Sequence, residues 1–166
     1  VPYALGPMLT SAYPEIVDFT AAMRMEPITN SSFQFKDDSG EVYAVYEPKV
    51  VRVHPSFFSI FDFPLIPGSP AVTFGGPGEI VVSQRIAELY FSDRNPMGEV
   101  ITMNRNVTLT VSGVVDIPAN TFFTFDFFLP VFNDLSNDWN WRDPSFLLLQ
   151  KKEAMKELER KISGFM

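Results

Sequence analysis

The spacing of apolar residues changes several times along this chain, and each change predicts an element. Leu5, Met8, Leu9 and Ala12 recur at helical intervals around Pro7, a residue suited to a first helical turn, and Tyr13-Pro14 closes the run. This predicts a short helix over Pro7–Ala12. Val17, Phe19, Ala21 and Met23 then alternate as along a strand. Two further alternating runs, "SFQFK" and "EVYAVYE", flank Asp37-Asp38-Ser39-Gly40, a turn-forming tetrad, and so predict a hairpin. Val50, Val51 and Val53 continue the sheet. "GEIVVS" reads as a short buried strand, and Ser83 is a good N-cap for a helix Ser83–Phe91 with Ile86, Ala87 and Tyr90 inward. "EVITM" and "VTLTVSGVVD" around "NRN" make a second hairpin. "TFFTFDFFLPV" reads as a central strand, because its Phe residues fall on both faces, and "FLLLQ" reads as the last strand. A helix over Lys152–Ser163 closes the chain, with Met155, Leu158 and Ile162 inward and Glu157–Lys161 as an i,i+4 pair. Strands interrupted by short helices, with both hairpins and crossovers, predict an α+β fold of mixed sheets. Pro and Gly concentrate near 68–78, which predicts a boundary there between two small lobes of a domain spanning 1–166.

"HPSFFSIFDFPLIPGSP", from His54 to Pro70, interrupts this pattern with four Phe and four Pro. Pro55 suits the start of a helix over Pro55–Phe61, and Phe57, Phe58 and Phe61 share one side of it. Pro64, Pro67 and Pro70 exclude a regular element afterwards. The segment reads as a clasp in which Phe57, Phe58, Phe61 and Phe63 pin an irregular crossover to the sheet, with at least two of Phe57, Phe58 and Phe61 in the core.

Composition narrows the functional classes. The 17 Phe in 166 residues make ring packing the dominant core interaction. A net charge of −7 excludes a nucleic-acid surface, which needs a basic face. The charge is uneven: residues 151–166 carry five Lys/Arg against three Glu, and the remainder carries eight against 17. The basic end reads as a solvated helix face. With no cysteine there is no disulfide, thiolate catalysis or Cys-ligated zinc. The longest apolar run, "FFLPVF", has six residues, far below the ~20 of a membrane helix. The chain opens on Val rather than Met, as a piece of a larger protein would.

Catalytic chemistry is not legible. His54, the only histidine, reads as the cap before Pro55 rather than a general base. There is no G-x-S-x-G elbow, and "FGGPG" at Phe74–Gly78 lacks the Lys-Ser/Thr of a phosphate loop. Asp37, Asp38 and Glu41 do not have the spacing of a calcium loop, and Asp134, Asp138 and Asp143 define no metal geometry. No catalytic, cofactor-binding or metal-ligating residue is assigned. Trp139 and Trp141 are the candidate contact surface: alternate residues of an extended segment point the same way, so the rings could stack on a sugar or peptide, or cap the sheet end.

The Phe-Pro segment resembles a phrase of the extracytoplasmic core domain of MacB/FtsX-type ABC transporter permeases. The following phrases resemble the same family in order: "EIVVSQRIAELYFSDRNPMGEVI", "LTVSGVVDIPANTFFTFDFFLP" and "FLLLQKKEAMKELERKI". "PYALGPMLTSAYPEI" resembles its opening helix. The likeness covers Pro2 to about Ile162 and has a Bacteroidetes-like style. His54 departs from it, since the family places an acidic or small residue there. The resemblance implies a bacterial inner-membrane permease with this domain on its periplasmic side. It implies that the domain, with no enzymatic activity or cofactor of its own, transmits ATP-driven conformational change to a substrate or partner outside. The implied partners are a cytoplasmic ABC ATPase, reached through flanking membrane helices, a periplasmic partner or substrate, and a second copy in the full transporter. The alternative expectation is a stand-alone extracytoplasmic ligand- or sugar-binding module using Trp139 and Trp141.

Overall fold

A computed structural model describes residues 2–24, 32–37, 39–46, 49–64, 74–92, 94–132, 137–140 and 144–163. In chain order the elements are α1 (Leu5–Ala12), β1 (Ile16–Arg24), β2 (Ser32–Lys36), β3 (Val42–Tyr46), β4 (Val50–Val53), α2 (Phe57–Ile60), β5 (Glu79–Ser83), α3 (Gln84–Phe91), β6 (Val100–Met103), β7 (Val107–Val115), β8 (Phe127–Pro130), β9 (Ser145–Leu149) and α4 (Ala154–Ser163). The described strands form one mixed sheet in the order β3-β2-β6-β7-β5-β8-β4-β1-β9. β4–β8 and β5–β7 are parallel; the other pairs are antiparallel. The α+β architecture is the one the periodicity predicts. Strands from either side of 68–78 interleave within it, β2 on β6 and β4 on β8, and part of that segment lies outside the described residues.

The central strands bury both faces, and the two-residue side-chain period sorts their residues between them. Val50, Ile80, Val82, Phe127 and Leu129 join one cluster, capped by Ile86, Ala87 and Phe91 of α3. Val51, Val53, Val81 and Phe128 join the other, under α2 and the Phe segment. Both turns have local causes. At β2–β3, Asp37 Oδ1 accepts from the backbone N–H groups of Ser39 and Glu41, and Gly40 takes a φ of 85°. At β6–β7, Asn104 and Arg105 both have positive φ, which a primed hairpin turn demands, and Asn104 Oδ1 accepts from the N–H of Ser32 to tie the turn to β2.

Four expectations are corrected by tertiary context. The strand read across 121–131 is only Phe127–Pro130, because 121–126 leaves the sheet and lays Phe123 against the aromatic cluster. β8 is nevertheless central, between β5 and β4. Val17 does not share a side with Phe19: a bulge between Ile16 and Asp18 turns it outward, and it is 54% exposed. Met155 is also exposed, since α4 buries only Leu158 fully and Ile162 in part. Of the three candidate core rings of the clasp, Phe57 is fully buried while Phe58 and Phe61 are partly buried against the same cluster.

Candidate functional site

Three places gather polar or aromatic groups. The first lies where β5 and β7 end and β4 and β8 begin. β5 delivers Ser83, β7 runs into Asp116, and Asp126 precedes β8. Asp126 is buried and bonded on both oxygens: Arg85 Nε and the Ser83 hydroxyl donate to Oδ1, both at 3.1 Å, and Arg85 Nη2 donates to Oδ2 at 2.6 Å. The Ser83 oxygen also accepts the Ile86 N–H at 3.3 Å as the predicted N-cap. A cleft of about 280 Å³ opens beside this group, with Lys49, Asp116 and Thr121 on its walls. The bidentate ion pair fastens the start of α3 to the start of β8. Ser83 gives its proton to a carboxylate already held by a guanidinium, so the arrangement is an anchor rather than an activated nucleophile. No sequence signal marks this pair, whose members are 41 residues apart.

The second place surrounds His54. It is not the helix cap expected from sequence, because the first turn of α2 starts two residues later than the Pro55 signal suggests and Ser56 occupies the cap position. The Ser56 hydroxyl donates to the Phe19 carbonyl at 2.6 Å. The same hydroxyl oxygen lies 2.6 Å from His54 Nδ1, a contact whose direction follows the imidazole tautomer, and the Ser56 backbone N–H also points at Nδ1 at 3.3 Å. The imidazole packs on the Phe19 ring at 4.6 Å, with Tyr3 at 6.2 Å. Burial lowers the pKa of His54 from the ordinary 6.5, against the pull of Asp18. These are the surroundings of a half-buried packing residue.

The third place is the loop 137–140. Its Asp138 carbonyl accepts from the Ala4 N–H at 3.1 Å, clipping the loop to the start of α1. Trp139 is 51% exposed there. Trp141, Asp134 and Asp143 lie outside the described residues, as does Asp38. Among the described residues, no group of three or more His, Asp and Glu could hold a metal ion, and no helix is long and apolar enough to cross a membrane.

The clasp's chemistry is packing. Phe57 sits within 5.0–5.9 Å of the rings of Phe58, Phe61, Phe63, Phe123 and Phe128. Phe61 and Phe123 reach on to Phe146 of β9. Edge-to-face pairs recur here, the arrangement ring quadrupoles favour.

The first and last elements also meet. Leu9 of α1, Ile16 of β1 and Leu158 of α4 form one cluster, joined by Leu147 and Leu149 of β9. Lys161 bonds to Glu15 and lies 3.2 Å from Glu157. Hydrogen bonding to Lys161 holds the pKa of Glu15 below its ordinary value, and hydrogen bonding to Glu15 raises that of Lys161. The predicted Glu157–Lys161 pair is present, but Glu15, 146 residues away from Lys161, is a partner that helical spacing could not reveal.

Known proteins share this architecture. A domain of a putative permease protein from Porphyromonas gingivalis superposes with a TM-score of 0.67 at 18% identity, over 95% of this chain and 75% of that one. The periplasmic region of MacB from Actinobacillus actinomycetemcomitans gives 0.64 at 14% identity, over 96% of this chain and 72% of that one. The extracellular domain of the noncanonic ABC-type transporter YknZ from Gram-positive bacteria gives 0.63 at 13% identity, over 95% of this chain and 78% of that one. A search of curated protein sequences gives no match. At these identities the superpositions establish the fold, and the family follows from the MacB-like periplasmic core domain model, which matches residues 4–165. The chain belongs to the MacB-like periplasmic core domain family, the extracytoplasmic part of MacB-type ABC transporter permeases.

Proposed function

We propose that this domain carries ATP-driven movement of the permease's membrane helices to a substrate or partner outside the inner membrane. A cytoplasmic ATPase subunit or domain hydrolyses the ATP, and this chain supplies no catalytic residue. The observation that carries the reading is the union of the first and last elements. α1 and α4 share one apolar cluster and an ion pair, so displacement entering at either end moves both. Beyond them lies a sheet whose central strands are buried on both faces under interlocked rings. Close-packed interiors transmit strain rather than absorb it.

The test uses the full permease with its ATPase in proteoliposomes. A donor dye on Asn120→Cys, an exposed position, reports energy transfer to acceptors on lipid headgroups. ATP is expected to change the transfer. Long flexible Gly-Ser insertions at both junctions with the membrane helices should abolish that change while ATP turnover continues. A signal that ignores ATP in the uninterrupted permease would replace this reading with that of a tethered binding module, for which the exposed Trp139 is the starting point.

A further inference from the structure

The sheet contains a joint. β1 pairs with β9 through Ile16–Ala21, and only its last three residues, Ala22–Arg24, pair with β4. One group of elements therefore consists of α1, the first part of β1, β9 and α4. It is fastened by the Leu9–Ile16–Leu158 cluster, by the Glu15–Lys161 pair and by Gln150, whose N–H reaches the Glu15 carbonyl and whose side-chain amide reaches that of Pro14. The rest of the sheet carries α2 and α3. The two ladders meet only at Ala21–Ala22, where the Ala22 N–H reaches the Pro144 carbonyl beside β9, and Phe146 of β9 adds ring contacts to Phe61 and Phe123, so few bonds cross the change of partner.

Phe19 stands at this joint and touches both sides. On the side of α1, Gly6 lies so close that a Cβ placed on it would be 2.3 Å from Phe19 Cδ2, and the edge of Tyr3 meets the ring at 5.8 Å. On the other side His54 packs on the ring, and the Phe19 carbonyl accepts the Ser56 hydroxyl. The His54 N–H adds a bond to the Ala21 carbonyl at 3.0 Å. Ser56 directly precedes α2, whose first residue is Phe57, the ring at the centre of the aromatic cluster. An unbroken line of contacts thus runs from α1 through Phe19 to Ser56 and the core beneath α2.

We propose that Phe19 is the bearing between the two groups and that Ser56 is its positioning residue. The hydroxyl–carbonyl bond fixes the angle at which the terminal elements meet the sheet, so that both move as one body. His54 braces the same contact from the ring side. The proposal rests on the mechanical reading above and adds where in this domain the movement is passed on. A physical pathway is only as good as the coupling measured across it, so the test reads the joint directly.

Nitroxide labels on Ser11→Cys of α1 and Asn120→Cys of the loop after β7, both exposed positions, report the distance between the groups in the full permease with its ATPase. The chain has no cysteine of its own. With Ser56 intact, the distance distribution should be the same without nucleotide and with ATP and vanadate. Ser56→Ala should broaden it at least twofold and shift it on adding ATP, with ATP turnover within twofold of the parent. Ser56→Thr, which keeps the hydroxyl, should restore the single narrow distribution, and Leu89→Ala on the exposed side of α3 should not alter it. If Ser56→Ala prevents folding, His54→Asn is read by the same criteria. An unchanged distribution in the variant, while ATP still moves the domain relative to the lipid, overturns the bearing and leaves the mechanical reading intact. Loss of that ATP-driven movement in the parent removes the mechanical reading, and the bearing's role with it.

Discussion

Phe57 has five rings around it and no exposed surface, whereas Phe58, the next residue, keeps part of its ring in solvent. One peptide unit of helical rotation separates their directions, and that rotation sets what each contributes. Phe57→Ala should lower stability by about 3–5 kcal/mol, the range for large rings removed from packed interiors. Phe58→Ala should cost no more than about 2 kcal/mol, the transfer energy of a ring that is only partly covered. Urea unfolding of the two variants decides the order, and a larger loss for Phe58 would mean that the burial difference is not the controlling factor. His54 makes a second prediction at this scale. Its folded pKa lies below the unfolded value of 6.5 because burial disfavours the imidazolium. The stability it contributes is therefore present above pH 6.5 and is lost as pH falls through the lower folded value. Thermal melts from pH 7.5 down to 5 should show a decline that His54→Gln flattens. Parallel curves for the two proteins would show that the histidine is not responsible.

Among the elements, α1 sits with its backbone directly against a ring. Gly6 is chosen there by space alone: it is the position at which the helix backbone meets the Phe19 ring, and a methyl group would overlap ring carbons at 2.3–2.9 Å. In an isolated helix alanine would be favoured over glycine by roughly 0.8–1 kcal/mol. Here the order should reverse. Gly6→Ala should destabilise by about 1–3 kcal/mol, the usual result of overpacking. It should also perturb the far-side partners of Phe19, His54 and Ser56, visible as shifts of the imidazole resonances. A gain in melting temperature would show that α1 can slide off the ring at no cost.

The whole molecule is a sheet whose middle is closed on both faces and whose two edges are single ladders. β5, β7 and β8 are flanked on both sides, while β3 and β9 each have one neighbour. Local opening should follow that gradient. Amide hydrogens of Ile80–Val82 and Phe127–Phe128 should exchange orders of magnitude more slowly than those of Val42–Tyr46 and Ser145–Leu149. Exchange of β9 as slow as β5 would show that the α1–α4 cluster protects that edge more strongly than its ladder implies, and would extend the rigid body to the terminal elements.

Periodicity along the chain was enough to place the four helices, both hairpins, the Ser83 cap and the central position of β8. These depend on neighbours a few residues apart, where helix and strand geometry fix which side chains meet. The same local logic read His54 as a cap, Met155 as buried and Val17 as a companion of Phe19. Each failed because a shifted first turn, an open helix flank or a bulge was settled by contacts from distant segments. Asp126 with Arg85, Glu15 with Lys161, and Phe19 between Gly6 and His54 were not legible at all. Their members are brought together by strand crossovers, and no spacing rule links residues whose meeting depends on the order of strands in the sheet. Sequence by itself determined the element types, the abundance of rings available for the core and, through ordered phrases, the family. Tertiary structure alone decided which rings became core, where the polar anchors formed and where the sheet changes partner, because those outcomes depend on packing between surfaces that exist only once the chain has folded.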